Sequence, residues 1–151
     1  MGNVIEHIGL CVTDIVRAER FYTGAFGFER DRELRMAAAQ LGVLTLQPPS
    51  DIHCVYLVLG SYTLELMAFN PAGAAGAGER VFNQTGLTHL SIAVDDIPET
   101  IMRARALGGV LVAQAGPAAV LRDPEGQLVE IVAMSIHQEV EQARARRQRP
   151  T

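Results

Sequence analysis

The feature that most constrains this chain is a nine-residue segment that occurs twice. His7–Ile15 (HIGLCVTDI) matches His89–Ile97 (HLSIAVDDI) at a constant offset of 82 residues (89 minus 7). Each copy alternates in side-chain character up to an aspartate, which is typical of a half-buried strand that leads into a helix. A repeat of this kind predicts two copies of one structural unit, and it limits the architecture before any other feature is considered.

Each copy is followed by the same predicted order of elements, namely a helix and then three strands. The predicted strands lie at 4–12, 28–34, 53–59, 62–69, 89–94, 110–113, 118–122 and 127–133, and the predicted helices at 15–26, 97–107 and 135–149. The segment Met36–Leu46 is ambiguous between a short helix as far as Leu41 and an apolar turn or strand after it. Neither half can bury both faces of its sheet alone, so the two halves are expected to build an eight-stranded sheet with helices on one side.

The chain of 151 residues is long enough for one domain. We expect module one at 1–70, a Gly- and Ala-rich linker at 71–85, module two at 86–134 and a helical tail at 135–151.

The composition argues against several classes of binding partner. The net charge is −4 and there is no lysine, so nothing favours a nucleic-acid partner, and an anion would have to be bound by arginine, backbone N–H groups or a metal. The two cysteines show no paired spacing, and no signal peptide or bilayer-spanning apolar run is visible. A cytoplasmic protein with no membrane partner is expected.

Two histidines and two glutamates are the candidate chemical groups. His7 and His89 are equivalent in the repeat, and each half ends in an apolar strand interrupted by one acid, Glu65 in LEL and Glu130 in VEI. A single strand His is usually a core residue and a single strand Glu usually points to solvent, but here all four recur in pairs. Two imidazoles and two carboxylates are a ligand set for a divalent metal such as Zn, Ni, Co, Mn or Fe. Small neighbours on the histidine faces, Gly9 and Ser91 among them, are expected to leave room there.

These segments resemble the vicinal oxygen chelate superfamily, which contains glyoxalase I, methylmalonyl-CoA epimerase, extradiol dioxygenases, and bleomycin and fosfomycin resistance proteins. The resemblance is carried by HIGLCVTDIVRAERFYTGAFGF, LELMAF, GLTHLSIAVDDI and RDPEGQLVEIVA. It implies an α+β fold in which two βαβββ modules form a cupped eight-stranded mixed sheet, with helices on the convex side and one divalent metal ion on the concave side. The family's metal positions fall on His7, Glu65, His89 and Glu130, a set similar to that of bacterial glyoxalase I.

The chain also departs from glyoxalase I. It has no lysine for the glutathione carboxylates, and the stretch before Glu130 is shorter than the glyoxalase form. Apolar residues on the two glutamate faces favour a substrate with an apolar body and an oxygenated head. The residues expected to bind substrate are Cys11, Met67, Phe69, Arg122 and Val132.

The leading hypothesis is a glyoxalase-like or epimerase-like isomerase or lyase. It would bind a small molecule with vicinal oxygens or an enolisable carbonyl on the metal and remove a proton with a ligating glutamate, Glu130 or alternatively Glu65. One alternative is an Fe²⁺ dioxygenase that uses His7, His89 and Glu130. Another is a drug- or natural-product-binding resistance protein. A homodimer is expected, because pairing about a two-fold axis would cover the open edges of the sheet.

Overall fold

The computed structural model describes residues 2–44, 46, 48–72 and 80–147. Residues 73–79 of the predicted linker and residues 148–151 of the predicted tail lie outside this part of the chain. The chain divides into two compact units, Met1–Gly78 and Glu79–Thr151.

The described residues of unit one form four strands and one α-helix. The strands are β1 (Ile8–Cys11), β2 (Glu29–Met36), β3 (Asp51–Leu59) and β4 (Tyr62–Asn70), the helix is α1 (Ile15–Phe26), and two 3₁₀ turns lie at Ala38–Gln40 and Gly42–Leu44. The sheet order is β1-β4-β3-β2, with β1 parallel to β4 and the other pairs antiparallel. Helix α1 begins where the Asp14 carboxylate accepts a hydrogen bond from the Arg17 N–H, and it ends at Gly27, which adopts φ 77°.

Helix α1 covers one face of this sheet, and Glu65 lies on the other face. Helix α1 packs on β3 and β4 and buries an aromatic group that includes Phe21 and Tyr22. Leu57, Leu64 and Leu66 are buried with them. Because strand side chains alternate, Glu65 points to the opposite face, where it is free of the helix.

Unit two repeats the plan. Its strands are β5 (His89–Val94), β6 (Val110–Ala115), β7 (Ala118–Arg122) and β8 (Leu128–Ala133), and its helices are α2 (Ile97–Ala106) and α3 (Met134–Arg147). The sheet order is β5-β8-β7-β6, and β5 runs parallel to β8. Helix α2 starts at Asp96, whose carboxylate accepts from the Glu99 N–H, and packs on β6, β7 and β8. None of the described helices is long and apolar enough to cross a bilayer.

The predicted α+β class with two βαβββ modules is confirmed, and the eight strands form two four-stranded mixed sheets. The first strand is shorter than the predicted 4–12. The alternation of apolar and polar side chains predicted the longer strand, but a strand also needs a hydrogen-bonded neighbour, and β4 pairs only with Ile8–Cys11. The segment after Met36 forms two 3₁₀ turns rather than an α-helix. The polar strand β2 is an edge strand, whose charged side chains remain in solvent.

Candidate metal centre

In unit one, His7 and Glu65 lie side by side. His7 directly precedes β1, and the register of β1 with β4 sets Gly9 opposite Glu65. The His7 Nε2 atom is 3.0 Å from the Glu65 Oε2 atom, and the Glu65 side chain is only 10% exposed. One nitrogen and one carboxylate oxygen therefore meet at this face of the sheet.

Unit two brings the equivalent residues together. His89 is the first residue of β5, and the register of β5 with β8 sets Ser91 opposite Glu130. The His89 Nε2 atom is 3.8 Å from the Glu130 Oε2 atom, and both side chains are 30% exposed. The second pair repeats the first at a longer distance, and its glutamate is more open to solvent.

Both histidines have their other ring nitrogen occupied by the preceding residue. The Glu6 carboxylate contacts His7 Nδ1, and the Thr88 hydroxyl lies 2.8 Å from His89 Nδ1. The hydrogen bond to His7 lowers the pKa of Glu6, to which Arg32 also contributes. Contact with Glu6 holds the His7 ring through Nδ1, so Nε2 is the ring nitrogen that faces Glu65. Sequence reasoning missed Glu6 and Thr88, although the same offset of 82 residues relates them (88 minus 6).

The Glu65 carboxylate is surrounded by buried donors that sequence reasoning also missed. The Tyr56 hydroxyl donates to Glu65 Oε1 at 2.5 Å. Burial, together with the hydrogen bond and charge of Glu65, raises the pKa of Tyr56 to about 12 and that of the Cys54 thiol to about 12. Both groups are therefore neutral donors at neutral pH. The signal available in the sequence was their period-two spacing in strand β3.

The small neighbours of the histidines do not simply leave space. A Cβ atom on Gly9 would lie 2.7 Å from the Met67 methyl carbon, so Met67 already fills that volume. In unit two, Ser91 is a hydrogen-bonding group, because its hydroxyl donates to Glu130 Oε2 at 2.7 Å. The expectation of empty room beside Gly9 is therefore wrong.

The residues expected to bind substrate differ in their surroundings. Cys11 is exposed and pairs with Met67, while Val132 is half-buried between Ala93 and Ala118. Arg122 donates hydrogen bonds to the carbonyl oxygens of Arg80 at 3.1 Å and Gly126 at 3.2 Å. Arg122 therefore ties two loops of unit two together.

His53 lies in β3 between Ile52 and Cys54 and points away from the Glu65 face. Its Nε2 atom is 2.8 Å from Glu33 Oε1. This contact joins the side chains of the neighbouring strands β2 and β3.

Part of the segment Met36–Asp51 packs onto the Glu65 face of the sheet. Leu41 is 4% exposed and forms a buried apolar cluster with Ile52, Cys54 and Tyr56. Half-buried apolar residues complete it: Met36, Leu46, Met67 and Phe69. A cavity of about 490 Å³ opens where β2 ends and β3 begins, lined by Arg35, Met36, Ala37, Asp51, Ile52, His53, Ala68, Phe69 and Asn70.

Each pair suits a divalent metal by its chemistry. An imidazole Nε2 faces a carboxylate oxygen, and the outer nitrogen is hydrogen-bonded, as it is in most metal-ligating histidines. Among the described residues, no group of three or more His, Cys, Asp or Glu side chains is arranged to hold a metal ion. Each unit by itself thus brings together one histidine and one glutamate.

A family model confirms the resemblance. Residues 6–142 match the model of the Glyoxalase/Bleomycin resistance protein/Dioxygenase superfamily. The chain belongs to this superfamily. Among curated proteins, no significant sequence match was found.

Solved structures of the superfamily share the fold. A glyoxalase family protein from Bacillus cereus has a TM-score of 0.75 at 20% identity, covering 85% of this chain and 92% of that one. The trypanothione-dependent glyoxalase I of Leishmania major has a TM-score of 0.72 at 21% identity, covering 97% and 98%. A mutant of the fosfomycin resistance protein FosX from Listeria monocytogenes, complexed with Mn(II) and 1S,2S-dihydroxypropylphosphonic acid, has a TM-score of 0.61 at 18% identity, covering 88% and 93%.

Proposed function

We propose that this protein is a metal-dependent isomerase or lyase that moves a proton on a small oxygenated substrate. The observation that carries the proposal is the repeated arrangement of ligands. In each module a histidine has its Nδ1 atom held by the preceding residue and its Nε2 atom turned toward a strand glutamate. The recurrence of both features at equivalent positions of the repeat supports a shared role of these residues as metal ligands.

The proposed ligands are His7, Glu65, His89 and Glu130, and they would serve one divalent ion, with Zn, Ni, Co, Mn and Fe as the candidates. When bound, such an ion acts as a Lewis acid toward a carbonyl or a pair of neighbouring oxygens. The FosX structure with Mn(II) supports the assignment of a divalent ion by analogy within the superfamily.

Glu130 is the proposed general base. Its side chain is three times as exposed as that of Glu65 (30% against 10%), and a single serine hydroxyl holds it. A carboxylate with this freedom can approach a substrate C–H bond, accept the proton and return it to a neighbouring carbon. Glu65 is the alternative, but its buried hydrogen bond to Tyr56 favours a fixed position.

The proposed substrate is a small molecule with vicinal oxygens or an enolisable carbonyl on an apolar body. Met67 and Phe69 pack with the apolar cluster on the Glu65 face, and Val132 lies two residues beyond Glu130 on the same face of β8. Cys11 is exposed at the end of β1 and remains a candidate contact. Arg122 already donates to two backbone carbonyl groups, which makes it less suited to bind an anionic group of the substrate. We therefore propose that the oxygenated end of the substrate binds to the metal.

Metal content tests the proposal directly. We expect about one divalent ion per chain in protein purified without chelators, and a sharp loss of metal in both His7→Ala and His89→Ala. His137→Ala is the matched control, because His137 is exposed on α3 and its loss should leave the metal content unchanged.

The His7→Ala and His89→Ala variants also show whether the four residues bind one metal ion or two. If all four residues serve one ion, each single variant loses nearly all of the metal. Two separate sites would leave about half of the metal in each variant. Unchanged metal content in both variants, or no metal in the wild type, would remove the metal centre from the proposed function.

A further inference from the structure

The hydroxyl of Tyr56 is placed to control one oxygen of Glu65. Tyr56 lies directly opposite Glu65 in the register of β3 with β4, and both residues are 7% exposed. The phenol donates to Oε1 at 2.5 Å, whereas His7 approaches Oε2. The two oxygens of this carboxylate therefore have separate partners.

The ring that carries this hydroxyl is itself fixed on two sides. The Arg32 guanidinium carbon lies 3.9 Å from the Tyr56 ring centroid, at a distance suited to a cation–π contact. His7 packs edge-on to the same ring, with centroids 5.8 Å apart. A ring held in this way presents its hydroxyl in one direction, and it touches one proposed ligand while donating to another.

Residues 86–134, which make up module two, contain no tyrosine. The residue opposite Glu130 in the register of β7 with β8 is Val120, whose side chain has no hydrogen-bond donor. The donor to Glu130 comes from the other neighbouring strand, through Ser91, and it binds Oε2, the oxygen that faces His89. In module one the arrangement differs, because Tyr56 donates to Oε1 of Glu65 and His7 faces the other oxygen, Oε2.

We infer that Tyr56 is a positioning residue that holds Glu65 Oε1 and thereby presents Oε2 as a fixed single-oxygen metal ligand. The inference rests on the proposed metal centre and assigns different roles to its two glutamates. Glu65 is the rigid ligand, and Glu130 is the carboxylate left free to move. Hydrogen-bonding partners of ligands typically influence metal affinity strongly, which makes the effect measurable without substrate.

The test is a Co²⁺ titration of Tyr56→Phe, read by affinity and by the visible absorption spectrum of the bound ion. The substitution removes only the hydroxyl and keeps the ring beside Arg32 and His7. We expect a loss of affinity of about 10- to 100-fold and an altered Co²⁺ spectrum. Tyr62→Phe is the matched control, since Tyr62 is 69% exposed, and it should titrate like the wild type.

A second variant shows whether Tyr56 acts through Glu65. If it does, adding Tyr56→Phe to Glu65→Ala, which removes the acceptor of the hydroxyl altogether, should weaken Co²⁺ binding much less than it does in the wild type. Equal losses in the two backgrounds would contradict the inference, because they would indicate a general effect on the fold. Circular dichroism melts verify that each titration is made on folded protein.

The outcomes separate the two proposals. A wild-type protein that binds no Co²⁺ overturns the metal centre and the role of Tyr56 with it. A wild-type protein that binds Co²⁺, beside a Tyr56→Phe variant with the same affinity and spectrum, overturns the role of Tyr56 alone.

Discussion

At the scale of single residues, Glu65 and Glu130 are equivalent in the repeat but not in their surroundings. Glu65 is buried and accepts from the Tyr56 hydroxyl, and Glu130 is half-buried and accepts from the Ser91 hydroxyl. The structural symmetry of the two modules is thus broken by the neighbouring strands, where Tyr56 and Val120 occupy corresponding positions. Different neighbours give two chemically identical groups different burial and different hydrogen-bond donors.

This asymmetry predicts different effects of the same substitution. Glu130→Gln should keep the fold and much of the metal, because an amide oxygen still coordinates, but it cannot accept a proton. Turnover should therefore fall by about 10²- to 10⁴-fold, the usual contribution of a positioned base. Glu65→Gln should be milder. The measurement is metal content together with exchange of the substrate proton with solvent deuterium, made on both variants.

The same pair of variants distinguishes the alternative reactions. In a dioxygenase that uses His7, His89 and Glu130, the loss of Glu130 would appear as lost iron, and Glu65→Gln would be nearly silent. Solvent exchange at the wild-type rate in Glu130→Gln would exclude Glu130 as the base.

At the scale of elements, the 3₁₀ segment between β2 and β3 matters because it covers the Glu65 face of its sheet. Leu41 is 4% exposed within the cluster of Ile52, Cys54 and Tyr56, whereas Leu44, three residues later, is 47% exposed. One side chain of this short segment is therefore anchored in a core that includes the donors to Glu65.

Removing that anchor should destabilise the protein. Leu41→Ala should lower the free energy of unfolding by about 2–4 kcal/mol, since it removes buried methyl groups and leaves a cavity. Leu44→Ala is the matched control on the same segment and should change it by no more than about 0.5 kcal/mol. Denaturant unfolding followed by circular dichroism gives both values. Equal effects of the two substitutions would show that the segment does not depend on Leu41.

At the scale of the whole molecule, each four-stranded sheet ends in an edge strand. Strand β2 carries a nearly continuous row of charged side chains, which oppose pairing with another chain. Strand β6 is also an edge, and it exposes Val110 and Val112 (58% and 49%). Exposed β-branched residues on an open edge favour association with a second copy.

We therefore expect a homodimer with two-fold symmetry. Sedimentation at micromolar concentration should give about twice the mass of one chain, which is 16.3 kDa. A monomer under these conditions would contradict the expectation without affecting the metal centre, which has its own test in the His7→Ala and His89→Ala variants.

The sequence by itself determined the modular plan. The repeated segment, the capping aspartates Asp14 and Asp96, and the periodicity of the strands are local signals, so they predicted helix α1 at its observed bounds and β7 at Ala118–Arg122. The repeat also made His7 equivalent to His89 and Glu65 equivalent to Glu130, which identified the four candidate ligands but not their contacts within each half.

Only the tertiary structure decided what surrounds those four residues. Tyr56 and Glu65 are nine positions apart, and Ser91 and Glu130 are 39 positions apart. Their contacts depend on strand register, which is set by the packing of whole sheets rather than by local preference. The same reason explains why the space beside Gly9 is filled by Met67, and why Leu41 anchors a segment whose sequence left its conformation ambiguous. Local sequence fixes which element forms, but the neighbours of a side chain follow from how distant strands are aligned.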